Sequence, residues 1–159
     1  MRYPRCRTVY AKYVGLTRVR TIKKILEDIG FMVNTNKIQA PGIDMRVFDS
    51  HNNLLLVIEV TNWKKTSYMH PQKLNSMNGA FRKYNCKKLY IASFTNNFKT
   101  KRSQIDNDIE ILVLGYQTQP YWKWQEKNGD TTGMRPNSKK TLKSTKQLLH
   151  KQLKSMGLM

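Results

Sequence analysis

The order of apolar and polar positions along the chain predicts an α-β-β-β-α-β-β succession followed by a tail. In 14–29, Val19, Ile22, Leu26 and Ile29 recur at helical spacing, and Gly30 supplies a C-terminal stop. Residues 31–36 alternate weakly and predict a short strand; Ala40-Pro41-Gly42 is a turn. Residues 43–49 and 54–61 predict two strands joined by Ser50-His51-Asn52-Asn53. The run Leu54-Leu55-Leu56-Val57-Ile58 is continuously apolar, as expected of a strand covered on both faces at the sheet centre. A helix over 71–84 opens on Pro71 and sets Leu74, Met77 and Phe81 at spacings of three and four. Residues 88–94 and 109–116 predict two further strands. The tail begins with turn formers and aromatics over 117–137, including Tyr121, Trp122 and Trp124. These aromatics suit a cluster that docks the tail, or a surface that stacks on unpaired bases. Residues 138–156 predict an amphipathic helix with Ser138 as N-cap and Leu142, Leu149, Leu153 and Met156 on one stripe. The expectation is an α/β domain with a mixed central sheet over 1–116, and a C-terminal extension over 117–159.

Composition changes little in this picture, and charge changes a good deal. A chain of 159 residues, 39% hydrophobic, can build one domain with an extension. No apolar run approaches the roughly 18 residues of a membrane-spanning helix, and the N-terminal residues show no signal-peptide pattern. Cys6 and Cys86 are too few for a disulfide framework, so the chain reads as intracellular, cytoplasmic or nucleoid-associated. The net charge of +19 makes a polyanion the default partner, nucleic acid ahead of a membrane surface. The excess sits at the ends: 1–26 carry eight basic residues and no acid, and 135–159 carry seven and no acid. Basic arms around a nearly balanced body suit a domain that grips phosphates with its ends.

With ten acids in the chain, the position of each matters. Asp44 and Glu59 fall within predicted strands, and Glu59 ends the apolar run. A carboxylate on a buried central strand is costly unless paired or metal-bound. If His51-Asn52 forms the hairpin turn, Asp49 pairs with Leu54, Val47 with Leu56, and Asp44 falls opposite Glu59. Two like charges facing each other on a ladder repel. A divalent cation between them removes the penalty, and hard oxygen ligands suit Mg²⁺ or Mn²⁺. The competing reading pairs one carboxylate with a basic neighbour such as Arg46. In a strongly basic protein, a metal on two carboxylates suggests phosphodiester hydrolysis, with a nearby lysine stabilising the developing charge.

Gly42-Ile43-Asp44 followed by Leu56-Val57-Ile58-Glu59-Val60-Thr61 resembles the PD-(D/E)xK nuclease signature on its β-hairpin. The wider layout is similar to the archaeal Holliday-junction resolvases of that superfamily. The shared features are a basic first helix ending in Gly30-Phe31-x-Val33, the Asp hairpin and Glu59-Val60. Tyr68, Gln72-Lys73-Leu74 opening a helix, and Lys88-Leu89-Tyr90-Ile91-Ala92 follow in order, so the resemblance spans 14–95. It implies a restriction-endonuclease-like α-β-β-β-α-β core and a metal-dependent endonuclease acting on DNA, branched DNA included. It also implies a homodimer with two symmetric sites, for which the tail-helix stripe is the candidate face. Asp44 and Glu59 carry over as metal ligands, with the Val60 carbonyl as a third. Two positions depart from the family: its lysine, two residues after the glutamate, is Thr61, and the first-helix glutamate of the resolvases falls about at Val19. The lysine role then passes to Lys73 on the following helix, or to Lys64 or Lys65 just after the strand. Gln72 resembles the glutamine that opens that helix and positions the lysine or a phosphate.

The candidate phosphate contacts are Arg5, Arg7, Arg18, Arg20, Lys64, Lys65, Lys139, Lys140, Lys143 and Lys146. Of the histidines, His51 and His150 are not placed for base catalysis, whereas His70 can approach the site from its loop. Ser67 and Tyr68 suit structural or phosphate-facing roles. There is no glycine-rich phosphate loop, so no nucleotide cofactor is expected. Beside the nuclease stand two other readings: a DNA-binding protein of the same fold with weak or lost catalysis, which Thr61-Asn62 permits, and a basic RNA-binding protein with no site.

Overall fold

The computed structural model describes residues 7–37, 41–117 and 139–159, with side chains from residue 16 in the first helix and from residue 141 in the last. In chain order the elements are α1 (Arg7–Ile29), β1 (Met32–Thr35), β2 (Met45–Phe48), β3 (Leu54–Val60), α2 (Pro71–Phe81), β4 (Lys87–Ala92), β5 (Ile109–Val113) and α3 (Lys139–Ser155). Two 3-10 turns, Thr95–Asn97 and Lys99–Gln104, lie between β4 and β5 and were not expected from the sequence pattern. Among the described residues the succession of helices and strands is the predicted one, and the differences lie at element ends; Tyr121, Trp122, Trp124 and the Ser138 N-cap lie outside the described residues. α1 starts at Arg7 rather than at 14, and α2 stops at Phe81 rather than at 84. Beyond Phe81 the chain turns, with the Lys83 and Tyr84 N–H groups on the Ala80 and Phe81 carbonyls.

The strands form one mixed sheet in the order β1-β2-β3-β4-β5. β1, β2 and β3 pair antiparallel, and β3, β4 and β5 pair parallel. β3 is central, as its continuous apolar run requires, and Leu56, Val57 and Ile58 are fully buried. Side-chain alternation sorts the core into two layers. Leu56, Ile58 and Val60 of β3 pack with Ile22, Ile25 and Leu26 of α1 and with Leu149, Leu153 and Met156 of α3. Val57, Tyr90 and Ala92 pack with Leu74, Met77 and Phe81 of α2 and with Phe98 and Ile105. α1 and α3 therefore cover one face of the sheet and α2 the other. Among the described residues no helix is long and apolar enough to cross a membrane.

The β2–β3 hairpin departs from a plain two-residue turn. Phe48 pairs with Leu54 and Val47 with Leu56, so Leu55 is a bulge. The bulge lets consecutive Leu55 and Leu56 both pack against the α1 layer. The expected pairing of Asp49 with Leu54 is lost. Instead the Asp49 carboxylate accepts the N–H groups of His51 and Asn53, each at 2.9 Å, and closes the tip. Tighter pairing at the tip and the extra residue in β3 cancel, so that Val47 faces Leu56, Arg46 faces Val57 and Met45 faces Ile58, the predicted partners.

The apolar stripe of α3 is buried within the chain. Leu149 and Leu153 are fully enclosed and Met156 nearly so. The stripe expected to serve a homodimer is thus already used, because α3 folds back across the sheet face beside α1. A hydrogen bond between the Tyr116 and Thr145 hydroxyls ties α3 to the segment after β5. Leu153→Ala is expected to destabilise the fold by about 2–5 kcal/mol through the cavity it leaves. Urea unfolding monitored by far-UV circular dichroism measures this, and a loss under about 1 kcal/mol would show that α3 is not part of the core.

Candidate metal centre

The site is built where the edge of the hairpin meets the end of the central strand. Before β2 the chain turns at Gly42, whose φ of +110° favours glycine. The Asn36 N–H then donates to the Asp44 carbonyl at 2.9 Å, which continues the β1–β2 pairing one step further. Asp44 sits just ahead of β2, not inside it, and its carboxylate Oδ2 accepts the Val60 N–H at 2.7 Å. This bond holds the carboxylate against the end of β3, as the hairpin register predicts.

Glu59 lies between Ile58 and Val60, whose side chains enter the α1 layer, so alternation turns Glu59 toward α2. It is 5% exposed. Lys73, in the first turn of α2, reaches it with Nζ 3.4 Å from Oε2. Burial pushes the Glu59 carboxyl up to about 9, and the hydrogen bond and charge of Asp44 push in the same direction. Lys73 pulls the other way without restoring an ordinary value. Two carboxyl groups share a half-enclosed place that one lysine only partly neutralises. A hard divalent cation bound here would take its side-chain oxygens from Asp44 and Glu59. Among the described residues no third His, Cys, Asp or Glu joins them, so backbone oxygen and water would complete the shell, as is usual for Mg²⁺.

α2 is fixed well enough to aim Lys73. Pro71 opens it after an extended His70, and Leu74, Met77 and Phe81 anchor it in the core. At its far end, buried Asn78 donates to the Gln104 carbonyl at 2.9 Å and accepts the Asp106 N–H at 3.2 Å. Arg82 makes two bonds of 2.7 Å to the Asp106 carboxylate.

The other expected site residues divide into those brought near and those that are not. Thr61, two residues after Glu59, is buried, and its hydroxyl shares a 2.8 Å hydrogen bond with Tyr90. Lys64 and Lys65 are exposed on the loop that follows β3, and Gln72 is exposed on the first turn of α2. Among the described residues Lys73 is the lysine that contacts Glu59. Arg46 is exposed on β2 and has no ion pair with either carboxylate. Arg20, Lys143 and Lys146 are exposed. Arg5 lies outside the described residues, as do the side chains of Arg7, Lys139 and Lys140.

Arg18 is a correction. Expected as a surface phosphate contact, it is 1% exposed. It stands four residues before Ile22 and seven before Ile25, on the buried side of α1. Its guanidinium donates to the Ser93 hydroxyl at 3.2 Å and the Tyr116 carbonyl at 2.8 Å, and lies over the Tyr116 ring at 4.9 Å. Desolvation lowers its pKa to about 10, which leaves it charged at neutral pH. The sequence pattern also gave no sign of Asn97, whose contacts with the Lys64–Ser67 loop join residues some thirty positions apart. Comparison with known protein families, with curated proteins and with solved structures finds no match.

The raised Glu59 pKa has a signed consequence for stability. An acid whose folded pKa exceeds its ordinary value of 4.5 stabilises the fold fully below that pH, and the contribution is lost as pH rises through about 9. In chelator, the unfolding free energy of the wild type from urea titration is expected to fall as pH rises between these limits, with a slope of at most about 1.4 kcal/mol per pH unit from one proton. Glu59→Gln, which mimics the protonated form, is expected to flatten that fall. Equal slopes in the two proteins would place the titration elsewhere.

Proposed function

We propose that the chain is a divalent-metal-dependent DNA endonuclease on a restriction-endonuclease-like core. The observation that carries this reading is the Asp44–Glu59 pair at the end of the central strand, Glu59 buried and Asp44 half-buried, with Lys73 on Glu59. A site-free RNA-binding protein has no use for two carboxyl groups held together at a desolvation cost. A metal ion bound there would polarise a phosphodiester and lower the pKa of an attacking water.

The chain's own residues have separable tasks in this scheme. Asp44 and Glu59 supply anionic oxygens, and the Val60 N–H orients the first of them. Lys73 stands beside Glu59 and offers its ammonium to charge that develops on the phosphate. Lys64, Lys65 and Gln72, exposed around the same strand end, meet the flanking backbone. Lys143, Lys146, Lys151 and Lys154 are exposed on α3 and add sequence-independent grip.

One observation favours a second reading, DNA binding without cleavage. Thr61 is committed to Tyr90 and supplies no cation where the superfamily has its lysine. Incubation with plasmid and with a four-way junction, in Mg²⁺, in Mn²⁺ and in chelator, separates the two. Metal-dependent cleavage is expected, with a loss of at least about 100-fold in Asp44→Asn and a smaller loss in Lys73→Met, while binding persists. Cleavage that survives Asp44→Asn would remove the proposed site; salt-sensitive binding with no cleavage would establish the second reading. For the grip, Lys143→Ala with Lys146→Ala is expected to reduce the slope of log affinity against log salt by about 1.8 if both meet phosphates of a duplex. An unchanged slope would show that α3 does not touch the DNA.

A further inference from the structure

The loop between β3 and α2, residues 61–70, has no regular secondary structure, yet it is firmly held. Asn97, fully buried, is its fastener. The Nδ2 group donates to the Lys64 and Ser67 carbonyls, each at 2.8 Å. The Asn97 carbonyl accepts the Met69 N–H at 2.7 Å, and Asn96 donates to the Lys65 carbonyl at 2.9 Å. Trp63 packs against the α2 layer, and Met69 is fully buried in it.

Tyr68 sits between these fastenings. The carbonyl before it and the N–H after it are both bonded to Asn97, and the inward turn of Met69 directs Tyr68 outward. Tyr68 is 57% exposed. Its ring centroid lies 5.0 Å from that of His70, with the planes tilted by 54°. His70 is the N-cap of α2, three residues before Lys73, so the ring pair rises beside the helical turn from which Lys73 reaches Glu59. Residues 61–73 hold three lysines and no acid. A rigidly displayed aromatic ring, set in positive charge and unused by the core, is a surface with an available π-face.

We propose that Tyr68, braced by His70, stacks on an unpaired base of DNA beside the candidate metal centre. The location rests on the nuclease reading above. The inference adds a contact to an unpaired nucleotide next to the cleaved phosphate, which favours a fork, a flap or an open junction over intact duplex. In a duplex each base face is covered by its neighbours, whereas an unpaired nucleotide can be splayed out to lie on an aromatic ring. Lys64 and Lys65 take the adjoining phosphates.

The test uses the full chain in chelator, a paired duplex, and a forked duplex of equal length with 2-aminopurine at the first unpaired position. The wild type is expected to bind the fork more tightly and to quench the 2-aminopurine. Tyr68→Ala is expected to lose roughly tenfold in fork affinity, to keep its duplex affinity and to abolish the quenching; Tyr68→Phe, which keeps the ring, is expected to behave as wild type. Absent quenching in the wild type, or equal losses on fork and duplex in Tyr68→Ala, would overturn the stacking role. Cleavage by wild type and Asp44→Asn, measured in parallel with Mg²⁺, separates the two ideas. Quenching that depends on Tyr68 without cleavage sinks the nuclease reading and leaves the base-stacking surface, while cleavage that depends on Asp44 and ignores Tyr68 does the reverse.

Discussion

A carboxyl group at the end of the most enclosed strand is the constraint to which its whole neighbourhood answers. Glu59 follows three fully buried residues of β3 and turns to the α2 side of the sheet. Water cannot solvate it there as it would at a surface, and Asp44 adds to the cost of ionising it. Lys73 offsets part of that cost, so the first turn of α2 has to lie over the strand end. β3 also separates the antiparallel half of the sheet from the parallel half. The chain therefore leaves β3 and β4 in the same direction, and the segments that follow run side by side. That adjacency is what allows Asn97 to reach the loop after Glu59.

The parts legible in the sequence were those governed by local period. Helical stripes gave α1, α2 and α3, and the uninterrupted apolar run gave β3 its central place. The facing of Asp44 and Glu59 is legible too, through the hairpin register, although the turn differs from the two-residue one that the sequence suggests. The two differences at the tip cancel only because one extra residue in β3 compensates one fewer step of pairing. A charged residue on a basic helix suggests a surface, which hides the burial of Arg18. Its phase relative to Ile22 and Ile25 points inward, but its partners Ser93 and Tyr116 lie 75 and 98 residues away. The Thr61–Tyr90 bond and the Asn97 fastening were hidden for the same reason. Each is a contact across sequence distance, made by residue types that elsewhere face solvent.

Net charge takes on a different meaning once burial is known. Arg18 contributes to the total but presents nothing to a partner. It lies over Tyr116, whose hydroxyl meets Thr145, so a basic residue of α1 helps seat the basic helix α3. α3 in turn carries two unlike jobs on opposite sides. Leu149 and Leu153 complete the core, while Lys143, Lys146, Lys151 and Lys154 remain in water. The charge of these four lysines is thereby carried by a helix whose orientation to the sheet is set by its buried face.

The bulge at Leu55 gives the hairpin a kind of mechanical insulation. Beyond it the ladder from Val47 to Met45 runs in even register toward Asp44 and Glu59, whatever the tip does. The tip is closed by its own Asp49 side chain and exposed backbone, not by the core. Changes of length or sequence between Ser50 and Asn53 can therefore be absorbed locally. The protein has a free handle at one end of its central hairpin and a pair of acids tied to β3 and α2 at the other, and evolution or an engineer can work on the first without disturbing the second.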